Sequence, residues 1–91
     1  MAEKARVRIE FCMLCGWHLR AGWMAQELFN TFGEDIQINL VPVSGGAFRI
    51  YVEEDCLFDR KADAGFPSVK ALKQKLRDRV WPDRELGHID R

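Results

Sequence analysis

The stretch Arg6-Val7-Arg8-Ile9-Glu10-Phe11-Cys12-Met13-Leu14-Cys15-Gly16-Trp17 holds two patterns that meet at the cysteines. Val7, Ile9 and Phe11 alternate with Arg6, Arg8 and Glu10, the period of a strand with one buried face. Beyond the cysteines the period changes. Trp17, Ala21, Met24, Leu28 and Phe32 recur every three or four residues, which predicts a helix over about 17–31, and Gly33 is a natural stop. Leu19, Trp23 and Phe29 make its other faces apolar, so this helix is either packed on two sides or presents an interaction surface.

Further along, Ile36, Ile38 and Leu40 give a second strand whose regular pairing Pro42 is expected to end. Ser44-Gly45-Gly46 reads as a loop, and Phe48, Ile50 and Val52 as a third strand. Glu53-Glu54-Asp55 makes a charged three-residue turn into a fourth strand over 56–59, so strands three and four form a hairpin. Residues 60–65 read as a polar loop, and Pro67 suits a first helical turn. Val69, Leu72, Leu76 and Val80 supply the inward face of a second helix, which Trp81-Pro82 closes ahead of a polar tail over about 82–91. No repeat or second domain is visible. The order β-α-β-β-β-α favours a right-handed parallel pair extended by a hairpin, with the helices covering sheet faces. The expectation is one α/β domain over 1–91, thioredoxin-like, with a four-stranded mixed sheet and two helices.

Composition narrows the function. Lys plus Arg and Asp plus Glu balance at 14 each among 91 residues, without the basic excess of a nucleic-acid binder. Apolar residues make up 47% and include three Trp and six Phe, as in a folded globule. Charges among residues 1–10 leave no room for a signal peptide, and His18, Arg20, Gln26, Glu27 and Asn30 make 11–32 a poor membrane span. A cytoplasmic protein is therefore expected, with no membrane partner. Three cysteines do not make a secreted disulfide framework.

Cys12 and Cys15 lie between a strand and a helix, and their spacing lets a small disulfide ring close. Unpaired N–H groups and the positive dipole end at a helix start stabilise a thiolate, and can pull a thiol pKa from about 8.5 to roughly 3.5–7.5. The thiolate is the form that attacks disulfides and oxidised sulfur, and a second cysteine resolves the mixed intermediate. Half of a zinc site and a pair of inert buried thiols are the alternatives. Zinc needs four ligands, and beyond the pair only Cys56, His18 and His88 are on offer, without a ligand spacing. No metal is expected.

Several runs extend the case. Phe11-Cys12-Met13-Leu14-Cys15-Gly16-Trp17, Leu19-Arg20-Ala21-Gly22-Trp23-Met24-Ala25-Gln26-Glu27-Leu28, Gly45-Gly46-Ala47-Phe48-Arg49-Ile50, Asp59-Arg60-Lys61, Gly65-Phe66-Pro67 and Leu86-Gly87-His88 together resemble the selenoprotein W-like, or Rdx, family. More narrowly, the chain resembles bacterial members with cysteine in place of selenocysteine. The resemblance implies a thioredoxin-like fold and a thiol-disulfide oxidoreductase acting on protein or small-molecule thiols and disulfides. It implies no bound cofactor, with glutathione or thioredoxin as electron donor. The family's selenocysteine matches Cys15, which makes Cys15 a nucleophile candidate, whereas helix-start logic favours Cys12 as the more exposed thiol. Both remain candidates.

His18 departs from the family pattern, which is usually apolar there. It is placed to tune Cys15 from the same helical face, or is a solvated histidine. Ser44, Gly45 and Gly46 would face the dithiol and let a partner chain approach, or simply need positive φ. Trp17, with Trp23, is an apolar platform for a partner or a core residue. Pro42 is expected trans, Cys56 packed, Arg60-Lys61 and the basic face of the second helix solvated, and His88 without chemistry. Besides the oxidoreductase, two functions fit: a redox-sensitive protein-binding module without turnover of its own, and a zinc-holding structural module.

Overall fold

The computed structural model describes residues 4–86. Strand β1 (Ala5–Cys12) is flanked by β2 (Ile36–Val43), parallel to it, and β3 (Phe48–Val52), antiparallel; β4 (Asp55–Asp59) pairs with β3, giving the order β2-β1-β3-β4. Helix α1 (His18–Phe32) is the crossover between the parallel strands, α2 (Arg60–Asp63) is a single turn, and α3 (Val69–Val80) follows. The thioredoxin-like mixed sheet is as expected. The helix count is not, because 60–65 contains α2.

One face of the sheet makes the core. Val7, Ile9 and Phe11 of β1 and Phe48, Ile50 and Val52 of β3 are buried together with Ala21, Met24 and Leu28 of α1 and Leu72 and Leu76 of α3. Among the described residues nothing covers the opposite face, where charges pair within and across strands. Glu10 sits opposite Arg49 and meets both Arg49 Nε at 3.0 Å and Arg8 Nε at 3.1 Å, while the Arg8 guanidinium lies 4.2 Å from the centroid of the opposing Tyr51 ring. Opposite charges and cation–π pairs in register stabilise this polar sheet face.

Local chemistry explains where the elements depart from expectation. Pro42 does not end β2; it stands opposite Phe11, and the strand runs on to Val43. β2 is an edge strand, where a residue without an N–H is tolerated. The β3–β4 turn has two residues, since Val52 already pairs with Asp55. Glu53 there holds φ at 54°. Its N–H donates to the Arg6 carbonyl at 2.8 Å, and its carboxylate accepts from the Arg6 N–H at 2.9 Å. Register shifts between Ile50 and Tyr51, a bulge that leaves Leu57 unpaired while Phe58 faces Ile50.

α2 is set by reciprocal capping: the Asp59 carboxylate accepts from the Lys61 N–H at 3.1 Å, and the Asp63 carboxylate from the Asp59 N–H at 3.0 Å. α3 is capped by Ser68, whose Oγ accepts from the Ala71 N–H at 3.0 Å, so Pro67 stands before the cap rather than in the first turn. The basic face of α3 is not all solvated. Lys73 is buried and its Nζ lies 3.3 Å from Glu27 Oε1 on α1. Of the expected polar tail, Leu86 packs against the core and Arg84 reaches Asp35 at 3.0 Å; residues 87–91, His88 among them, lie outside the described residues.

Candidate functional site

Cys12 ends β1, and the backbone holds it on three sides. Its N–H donates to the Ala47 carbonyl at 2.8 Å, its carbonyl accepts from the Trp17 N–H at 3.3 Å, and the next N–H, of Met13, donates to the Val43 carbonyl at 3.1 Å. Gly16 turns the chain with φ at 77°, and its N–H donates to the Met13 carbonyl at 3.0 Å. This turn brings Cys15 back to Cys12, with their Cα atoms 5.2 Å apart and their Sγ atoms in bonding contact. That separation lies within the range a disulfide spans.

The two sulfurs are not equivalent. Cys12 is buried at 2% exposure and Cys15 is exposed, which reverses the helix-start expectation that Cys12 would be the more accessible thiol. The reason is that α1 starts at His18, later than the cysteines require for that logic. Cys12 still belongs to the strand; it follows Phe11 on the parity of Arg8 and Glu10, yet is buried where the strand ends. Cys15 stands in the turn, next to Leu14, which is 94% exposed. Trp17, the cap residue of α1, makes no side-chain cap bond, so the first-turn N–H groups open toward this turn without a capping side chain.

Ser44, Gly45 and Gly46 are brought to the pair. They join Val43, bonded to Met13, to Ala47, bonded to Cys12, so the loop is clamped at both ends onto the dithiol segment. Gly45 and Gly46 hold φ at 79° and 72°, and a Cβ on either would meet no atom within 4 Å. Backbone conformation, not lack of room, requires glycine there. Lys61 Nζ donates to the Gly45 carbonyl at 2.8 Å and fixes the loop from α2.

Trp17 is half-buried and packs edge-to-face on Phe66 at 5.1 Å and Phe48 at 6.2 Å between ring centroids. The Arg60 guanidinium lies 4.6 Å from the Trp17 centroid and that of Arg20 lies 4.0 Å from the Phe66 centroid. Trp23 is 50% exposed. His18 opens α1 and is exposed, while Cys15 lies in the preceding turn and not on a shared helical face. Cys56 is exposed rather than packed, its Sγ 3.3 Å from the Phe58 carbonyl on β4. Among the described residues no three His, Cys, Asp or Glu side chains converge as a metal site, and no helix is long and apolar enough to cross a membrane.

Reading the residues one by one missed Ala47, Lys61, Arg60, Arg20 and Phe66. All five stand in the family-like runs, yet nothing in their spacing ties them to Cys12. Their common address is tertiary.

Comparison with known proteins agrees with this architecture. The sequence model of the Rdx family matches residues 6–78. A crystal structure of a Bordetella parapertussis protein superposes with a TM-score of 0.83 at 49% identity, covering 86% of this chain and 100% of that one. A selenoprotein W-related protein from Vibrio cholerae superposes with a TM-score of 0.82 at 42% identity, covering 86% of this chain and 99% of that one. No curated protein matches. With the family pattern running through β1, the dithiol turn and most of α3, this chain belongs to the Rdx family.

Proposed function

We propose that the protein is a thiol-disulfide oxidoreductase in which Cys15 attacks and Cys12 resolves. The observation that carries this is the asymmetry of the pair: one sulfur exposed on a turn, the other buried beside it within bonding contact. The Cys15 thiolate attacks one sulfur of a substrate disulfide, forming a mixed disulfide and releasing the other sulfur as a thiolate that takes up a proton. The Cys12 thiolate then attacks Cys15 Sγ, closing the Cys12–Cys15 disulfide and releasing the second substrate thiol. Two electrons pass from the dithiol to the substrate. A small thiol such as glutathione, or a thioredoxin-type dithiol, returns them by the reverse exchange. Such a cycle suits the reducing cytoplasm.

The test is a redox titration in thiol buffers of defined potential, with alkylation and mass analysis of Cys12 and Cys15. A single two-electron transition between dithiol and internal disulfide is expected. A pair that stays reduced at every potential would overturn the reading. The exposure of Leu14 in the turn and of Leu19 and Trp23 on α1 favours a second one, a protein-binding module switched by the same oxidation. Partner capture that is identical from oxidised and reduced protein would remove it.

A further inference from the structure

Arg20 and Arg60 differ from the other described arginines. Arg6, Arg8, Arg49, Arg77, Arg79 and Arg84 each meet a carboxylate. Arg20 and Arg60 meet aromatic rings instead, and the same ones. Arg20 lies over Phe66, and Arg60 over Trp17 with Phe66 5.8 Å away. A guanidinium stacked on a ring is held in orientation while the N–H groups on its rim stay directed outward, the geometry that recognises a carboxylate. Arg60 Nε is buried without a hydrogen-bond partner, so the donors it can offer a ligand are those of its outer nitrogens. Both cations are tied to the dithiol segment through Trp17, which Arg60 overlies directly and on which Phe66, beneath Arg20, packs edge-to-face. Trp17 follows Cys15 by two residues and bonds the Cys12 carbonyl, and Lys61, next to Arg60, holds the Gly45 loop.

Resting on the oxidoreductase reading, we propose that Arg20 and Arg60 select protein disulfides flanked by acidic side chains. The chain carries a formal net charge of +0, so a preference for acidic substrates cannot come from its overall field and must be local. The surroundings fit a polypeptide: Leu14 in the turn, at 94% exposure, and Leu19 in the first turn of α1, at 75%, offer apolar contact to a partner. In the complex, the two guanidinium groups pair with Asp or Glu side chains on either side of the substrate cysteine while Cys15 reaches its sulfur.

The experiment compares second-order rate constants of the reduced full chain with four probes: a peptide disulfide flanked by Glu, the same peptide flanked by Lys, glutathione disulfide, and uncharged hydroxyethyl disulfide. The Glu peptide is expected to react about tenfold faster than the Lys peptide at low salt, an advantage that shrinks as ionic strength rises. In the Arg20→Gln/Arg60→Gln variant the ratio of the two peptide rates, each normalised to that variant's own hydroxyethyl disulfide rate, falls toward one, and Arg60→Lys keeps only part of the preference. Thermal melts of each variant verify the fold. A ratio of one in the unmodified protein, or a ratio that survives the double substitution, overturns the proposal and leaves the oxidoreductase reading intact. Arginine dependence confined to glutathione disulfide overturns it in favour of a small anionic substrate. Absence of any reaction with all four probes removes both.

Discussion

The Cys12 N–H donates to the Ala47 carbonyl at 2.8 Å, which couples the buried sulfur to the far end of the glycine loop. Residues 44–46 are therefore tethered at both ends, through Val43 and Ala47, to the strand end that carries Cys12. The same clamp leaves Cys15, one turn on, outside the sheet and open to a visitor.

This asymmetry predicts an order of reactivity. In reduced protein with Cys56→Ser, to remove the other exposed thiol, Cys15 should alkylate at least about tenfold faster than Cys12. Cys12→Ser should accumulate a mixed disulfide on Cys15, whereas Cys15→Ser should trap little. Mass spectrometry of timed iodoacetamide reactions reads both, and equal labelling of the two sulfurs would contradict the assigned roles.

Gly46 should tolerate bulk but not handedness. Its φ is 72°, and a Cβ would touch nothing within 4 Å. Gly46→Ala and Gly46→Ser should therefore lose the same stability, about 1–2 kcal/mol, from left-handed backbone strain alone. Urea unfolding measures it; a serine that cost far more than alanine would show a steric limit instead.

Lys73 and Glu27 should respond unequally to substitution. The lysine side chain is 4% exposed and the glutamate 29%, so removing the carboxylate strands a buried ammonium. Glu27→Gln should cost about 1–3 kcal/mol, while Lys73→Met, which keeps the stem and removes the charge, should cost less than about 1 kcal/mol. Equilibrium denaturation of both variants tests the order of the two losses.

Glu53 should contribute to the acid limb of stability. The Arg6 backbone N–H, then its side chain, hold the Glu53 carboxyl below its ordinary value of 4.5. Since the folded pKa lies below the unfolded one, the contribution is complete above the unfolded value and is lost as pH falls through the folded one. Glu53→Gln should melt lower than the unmodified protein at pH 7, and the gap should close as pH is taken below about 4.5 toward 3. A gap of constant size across that span would show that the carboxylate charge is not what matters.

The strand–dithiol–helix segment was legible because each signal is local. The alternation of Val7, Ile9 and Phe11 and the three-or-four spacing from Trp17 to Phe32 state which faces turn inward, whatever packs against them. Pro42 and Pro67 misled for the complementary reason. Whether a proline ends a strand depends on its being at the sheet edge, and whether it opens a helix depends on the cap that Ser68 already supplies. The α2 turn had a signal in Asp59 and Asp63, visible once reciprocal capping is sought.

What the sequence determined by itself was the order of elements, the buried faces and the identity of the dithiol, since these follow from periodicity and from the chemistry of two cysteines three residues apart. Which sulfur is exposed, which carbonyl holds Cys12 and which arginines lack a carboxylate were decided only by the tertiary structure. Burial and pairing depend on residues distant in the chain: Ala47 and Arg60 reach the site because β3 returns alongside β1 and β4 alongside β3, and no spacing along the chain records that approach.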